Sequence, residues 1–155
     1  MRARFRVRQV VNVLNLSTLL GLLLASAGRA RIEAGPDGLL IAKGYRLGIP
    51  AAPAFTLGNV VLLRLSDEQL ARRPRLLAHE ARHATQYAVC IGPVMVVLYL
   101  LAAGWSWLLC RDFAWRNVFE RLAGLADGGY VEPSKPRKPR QPRKPREPRQ
   151  TREVA

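Results

Sequence analysis

The sequence predicts an α+β fold, mainly helical, with a small β-hairpin or sheet, apolar helices and a disordered basic tail rich in Lys, Arg and Pro. Three observations predict it. Residues 39–46 and 54–65 are short Val-, Leu-, Phe- and Thr-rich segments bounded by Gly and Pro, the signature of strands. Ser66, followed by Asp67, Glu68 and Gln69, has the capping-box pattern that opens a helix. Residues 10–27 and 94–109 are two long apolar runs that read as helices. With 155 residues, 49% of them hydrophobic, the chain suits one domain plus appendages.

Residues 1–34 are read as a basic start followed by an apolar helix. The arginines of residues 1–8 and the Ala-Ser-Ala that closes the run imitate a secretory signal. However, Asn12, Asn15, Ser17 and Thr18 interrupt the run, and the following chain continues as one small domain. A core helix or one lying in a membrane is therefore expected. Residues 35–65 hold the turn Gly35-Pro36-Asp37-Gly38 and the short strands, punctuated by Pro50, Pro53 and Gly58.

Residues 66–130 are read as the helical region. After the Ser66 helix, Pro74 interrupts, a second helix runs from about 75 to 90, and Gly92-Pro93 ends it. From Ala88 to Cys110 there are 23 positions without a charge, long enough to cross a bilayer. Residues 116–126 read as a further helix, closed by Asp127-Gly128-Gly129. Cys90 and Cys110 bracket the apolar run. If it is helical they lie roughly 30 Å apart, too far for a disulfide.

Residues 131–155 form the tail. Between Lys135 and Arg152 stand nine basic residues and one acid, Glu147, a net of about +8 within the chain's +14. With nothing apolar to bury, such a tract is expected to be extended and disordered. It suits anionic lipid or another acidic partner. Nucleic acid is less expected, because the tract has no aromatic residue for base stacking. A solvated extension without a partner is the plain alternative.

The two histidines of the chain fall in LLAHEARHATQYAVC, residues 76–90. On a helix, positions i and i+4 share a face, so His79 and His83 can grip one Zn²⁺. Glu80 then projects beside the metal, where it can take a proton from water and pass it to a leaving amine. The alternative is a solvated helix that carries two unrelated imidazoles. A zinc site needs a third protein ligand. No third histidine exists, so an acid must serve; Asp112, Glu120, Asp127, Glu132 and the tail acids follow His83. Glu120 stands among Val118, Phe119, Leu122 and Ala123, where a carboxylate is costly unless paired or coordinated. Asp127, two turns on, is a candidate acceptor for a ligand imidazole, or a plain helix-end residue. Gln86 is one turn beyond His83 and either lines the site or lies on the surface. Tyr87, Tyr99 and Tyr130 are candidate oxyanion donors, with core or interface packing as the plainer role.

The pattern HExxH–xx–Gln86–Tyr87, then Gly92-Pro93, an apolar run with Tyr99, Trp105 and Trp107, then Asn117–xx–Glu120–xx–Ala123, resembles small uncharacterised bacterial proteins related to zincin-like domains. Those domains have an HExxH helix and a downstream glutamate of gluzincin type. The resemblance covers roughly residues 62–130. It implies His79, His83 and Glu120 as metal ligands, Glu80 as the base, and peptide hydrolysis by zinc-activated water, with the substrate unknown. One departure is Arg82, a charge inside a motif whose inner positions are usually uncharged.

The site and a membrane span compete. A single helix crossing a bilayer over residues 91–110 would leave His83 and Glu120 on opposite sides. The expected compromise has residues 10–27 and 94–109 packing together or dipping into a membrane interface, with the metal helices above and the tail cytoplasmic. The sequence thus leads to a membrane-associated, zinc-binding, metallopeptidase-like protein. The reading from a different class is a small non-catalytic membrane protein with a polybasic tail.

Overall fold

The computed structural model describes residues 2–132; the expectations for the basic tail, residues 135–152, lie outside them. Seven helices surround a four-stranded sheet. In chain order they are α1 (Ala3–Leu14), α2 (Ser17–Ala27), β1 (Arg31–Ala34), a 3-10 turn (Pro36–Gly38), β2 (Leu40–Lys43), β3 (Ala54–Leu57), β4 (Val60–Leu63), α3 (Asp67–Ala71), α4 (Leu76–Val89), α5 (Val94–Cys110), α6 (Val118–Ala123) and α7 (Leu125–Gly128).

The sheet is mixed, in the order β1-β2-β4-β3. β1 and β3 run antiparallel to their neighbours, while β2 and β4 pair in parallel. A parallel pair needs a crossover, and residues 44–53 together with the β3–β4 hairpin supply it. β4 is Val-Val-Leu-Leu, and all four side chains are fully buried. A strand covered on both faces reads as a continuous apolar run. Val61 and Leu63 join Leu39, Ile41, Leu76 and Ala84 under α4. Val60 and Leu62 join Ala25, Ala42 and Tyr45 under α2. Each such side chain contributes about 1.5–3 kcal/mol by leaving water, so β4 anchors both helical layers.

Both bonds of the capping box form at Ser66: its Oγ accepts from the Gln69 amide at 3.3 Å, and the Gln69 side chain accepts from the Ser66 amide at 2.9 Å. Pro74 separates α3 from α4 as expected. Residues 1–34 depart from their expected form. They hold two helices and a strand, not one apolar helix after a basic start. Arg4, Arg6 and Arg8 of the start lie inside α1, and the chain bends by 73° between α1 and α2, where Leu16 adopts left-handed backbone. β1 was not foreseen; its four residues are exposed and carry no apolar run to mark them.

The bend has a cause in the polar residues of the apolar run. Arg8 and Asn12 on α1 and Asn15 at its C-cap donate to the backbone carbonyls of Ala81, Ala84 and Tyr87 on α4, at 3.4, 2.8 and 3.2 Å. Asn12 also donates to Asn59 Oδ1 at 3.1 Å, and Asn59 donates in turn to Thr18 at 3.0 Å. α1, the β3–β4 turn and α4 are thereby tied through buried hydrogen bonds. Opposite, Ile91 and Gly92 take left-handed backbone and turn the chain by 118° into α5.

α5 does not separate Glu120 from the histidines, because the chain returns through residues 111–117. The expected packing of the two apolar runs on each other is not seen: α5 packs chiefly on α6 and leaves Val97, Leu100, Leu101, Trp105 and Leu108 exposed. Among the described residues no single helix is long and apolar enough to cross a membrane. Two bent pairs, α1 with α2 and α4 with α5, would pass by length and composition together. Cys90 and Cys110 are both free thiols.

Replacing Asn12 with Leu would leave the Ala84 carbonyl and Asn59 Oδ1 without their donor, at a cost of about 1–3 kcal/mol per buried group. Urea denaturation should show that loss. Val13→Gln, on the exposed side of the same helix, should change stability by less than about 0.5 kcal/mol. Equal effects of the two changes would refute the inward role of Asn12.

Candidate metal centre

Three side chains from two distant segments meet beneath α5. His79 and His83 come from α4, and Glu120 comes from α6; the three are 2%, 8% and 2% exposed. His79 Nε2 lies 3.1 Å from His83 Nε2 and 3.3 Å from Glu120 Oε2, and His83 Nε2 lies 3.6 Å from the same oxygen. Ligands about 2.0–2.1 Å from a tetrahedral zinc stand about 3.3 Å from one another. The three separations bracket that value, and the group is of the kind that could hold a metal ion.

The outer nitrogens decide which atoms face the cluster. His79 Nδ1 lies 3.1 Å from the Ala123 carbonyl and 3.0 Å from the Gly124 carbonyl. Carbonyls only accept, so Nδ1 carries the hydrogen and Nε2 offers a lone pair. His83 Nδ1 lies 2.8 Å from Gln86 Oε1. Gln86 Nε2 donates to the Phe119 carbonyl at 2.9 Å, which orients the amide and makes His83 Nδ1 a donor too. The third member, Glu120, is held by Tyr99, whose hydroxyl donates to Oε1. Its Oε2 is buried with no protein donor. Three acceptors therefore converge on one point, and a buried unsatisfied oxygen needs a cation or proton to offset its desolvation.

The protonation balance agrees with this electrostatic picture. Burial alone would raise the pKa of Glu120, yet the imidazoles of His79 and His83 beside it hold it well below the usual carboxylate range. Burial would lower that of His79, but Glu120 and Glu80 beside it raise it overall.

Local sequence explains why these atoms converge. Asn117 accepts from the Phe119 amide at 3.0 Å as the N-cap of α6, which sets Glu120 at the third helical position. The helix expected over residues 116–126 is instead two, because Gly124 takes φ +89°. That break turns the carbonyls of Ala123 and Gly124 toward His79. Gly128 lies against the His79 ring: a Cβ there would meet Cε1 at 2.7 Å, so a larger residue would displace the imidazole.

Glu80, 3% exposed, lines the same cavity. Its Oε2 accepts from the Thr56 hydroxyl at 2.7 Å. Burial pushes its pKa up, against the lowering influence of His83 and Thr56. The cavity, of about 320 Å³, is also lined by Tyr87, Tyr99 and Tyr130. Burial pushes the Tyr87 hydroxyl up to about 12.

Asp127 takes the plainer of its two expected roles, a residue at the helix end. It does not touch an imidazole; its carboxylate pairs with Arg82 at 2.7 Å and Arg75 at 3.7 Å. The reason is Arg82, which points out of the HExxH face and donates to both Asp127 and the Ala123 carbonyl. The charge inside the motif thus fastens α6 and α7 to α4. Sequence reasoning missed Thr56 and the Ala123 and Gly124 carbonyls. Alternation along β3 puts Thr56 on the same sheet face as Ala54, which is the one signal that could have found it.

Comparison with protein-family models, curated proteins and solved structures finds no match to this chain.

Gln86→Leu removes the acceptor that fixes His83. Zn²⁺ affinity, measured by competition with a chelating dye, should fall about 10–100-fold. Unchanged affinity would show that His83 does not depend on this bond to present Nε2.

Proposed function

We propose that this protein is a membrane-associated, zinc-binding, metallopeptidase-like protein, with His79, His83 and Glu120 as ligands and Glu80 as general base. The observation that carries the reading is the convergence of two imidazole Nε2 atoms and the orphaned Glu120 Oε2. The likeness to HExxH proteins of gluzincin type rests on this donor set and on the Asn117–Glu120 spacing.

Zinc held there would act as a Lewis acid and make a water more acidic. The chain's own residues supply the rest. Glu120 balances part of the metal's charge, while the Ala123 and Gly124 carbonyls and Gln86 hold the imidazoles in place. Glu80, buried in the same cavity, accepts a proton from the attacking water and delivers it to the departing amine. Thr56 keeps its carboxylate oriented. Tyr99 is committed to Glu120, so Tyr87 and Tyr130 are the phenols left to donate to a developing oxyanion. Membrane association is supported by the uncovered apolar side chains of α5.

Protein purified without added metal should contain near-stoichiometric zinc, and Glu120→Ala should lose it. Glu80→Gln should keep the zinc and lose at least about 100-fold in peptide cleavage. Zinc retained in Glu120→Ala would remove Glu120 from the ligand set. Absence of Glu80-dependent cleavage across a broad peptide library would leave metal binding without hydrolysis.

A further inference from the structure

What can reach the cluster is decided at the mouth of its cavity. Of the lining residues, Pro50, Leu100 and Tyr130 are exposed, and Leu24, Ala52, Phe55, Leu57, Val96 and Tyr99 are half-buried; the rim is drawn from these. They come from α2, from β3 and the loop before it, from α5, and, with Tyr130, from the chain after α7. None of them is charged. Immediately beside them the exposed side chains are again apolar: Leu20 and Leu23 on α2, Ile49 in the loop, and Val97 and Leu101 on α5. Along α5 this surface continues without a charge as far as Cys110. Apolar surface so extended is more than scattered surface hydrophobes, and marks contact with something other than water.

Two observations identify the cover as a lipid layer. At the end of α5, Trp107 stacks on Phe113 with centroids 6.3 Å apart, and the Arg111 guanidinium lies 4.1 Å over the Trp107 ring. Aromatic rings with a cation at the end of an apolar stretch suit the headgroup level of a bilayer. The exposed charges that flank the apolar runs in sequence are also mainly basic. Arg2 before α1, Arg4 and Arg6 on α1, and Arg111, Arg116 and Arg121 after α5 are all exposed, complementary to anionic headgroups.

We infer that the cavity opens into the acyl region of an anionic membrane and that the site acts on apolar polypeptide segments presented from that layer. The substrate half rests on the metallopeptidase-like reading above; the orientation half stands on the rim alone. A peptide with charged residues near its scissile bond would have to bring them across the apolar rim. An apolar segment already in the lipid has no such barrier.

The full chain is bound to vesicles of phosphatidylcholine and phosphatidylglycerol. Spin labels are placed at Leu23→Cys, Leu100→Cys and Arg73→Cys in a Cys90→Ser, Cys110→Ser background. Labels at 23 and 100 should collide with oxygen far more than with a water-soluble nickel chelate, and the label at 73 should show the reverse. Binding to purely phosphatidylcholine vesicles should be at least about tenfold weaker. In the unsubstituted chain, brominated acyl chains should quench tryptophan fluorescence, which needs no variant to fold. A label at 100 as open to nickel as the one at 73, or no quenching, overturns the orientation. For the substrate, one scissile sequence is offered in a vesicle-embedded apolar peptide and in a soluble, charge-flanked peptide. Cleavage at least about tenfold faster in the vesicle supports the inference, and equal rates overturn it. If neither peptide is cleaved while the label at 100 sits in lipid, the peptidase reading falls and the orientation stands.

Discussion

Two imidazoles turned to face one carboxylate oxygen form the constraint on which the rest of the structure depends. Each ring has its Nδ1 hydrogen engaged, by the Ala123 and Gly124 carbonyls at one side and by Gln86 at the other. Both Nε2 atoms are left as acceptors beside Glu120 Oε2, which has no donor. Three buried acceptors repel one another unless a positive charge sits among them. Such an arrangement makes sense as a receptor for a cation, and it costs stability otherwise.

The surrounding fold is arranged to hold that cluster. β4 is buried on both faces and fixes α4 against the sheet, so the HExxH face has a rigid floor. The polar residues of α1 and its C-cap fasten the back of α4 through three carbonyls. Arg82 and Asp127 fasten α6 and α7 to its flank, and Tyr99 reaches down from α5 to hold Glu120. β4, α1, α5, α6 and α7 therefore share the task of keeping the site in place. This pre-organisation is what a metal site requires, since first ligands are positioned by the groups behind them.

The sequence makes the local parts of this legible and leaves the long-range parts hidden. His79 and His83 could be paired because helical spacing alone puts them on one face. Glu120 could be singled out as an acid among apolar neighbours, and Ser66 as a cap from its own side chain and that of Gln69. Asn12 and Asn15 were visible as interruptions of an apolar run, but their partners are carbonyls about seventy residues away, which no local pattern encodes. The same holds for Thr56 with Glu80 and for Arg82 with Asp127. Asp127 drew attention through its helical spacing from Glu120, and the break at Gly124 removed that register. β1 is hidden because the alternation of Arg31-Ile32-Glu33-Ala34 lasts only four residues and buries none of them.

On the proposed reading, the apolar helices and the buried cluster serve two different partners, lipid outside and a cation within. The cation is the more decisive of the two. X-ray absorption at the zinc edge on the full chain tests it most directly. The account predicts a first shell of light atoms at about 2.0–2.1 Å with the multiple-scattering signature of two imidazoles. A shell containing sulfur at about 2.3 Å, or protein that takes up no zinc at all, would contradict it.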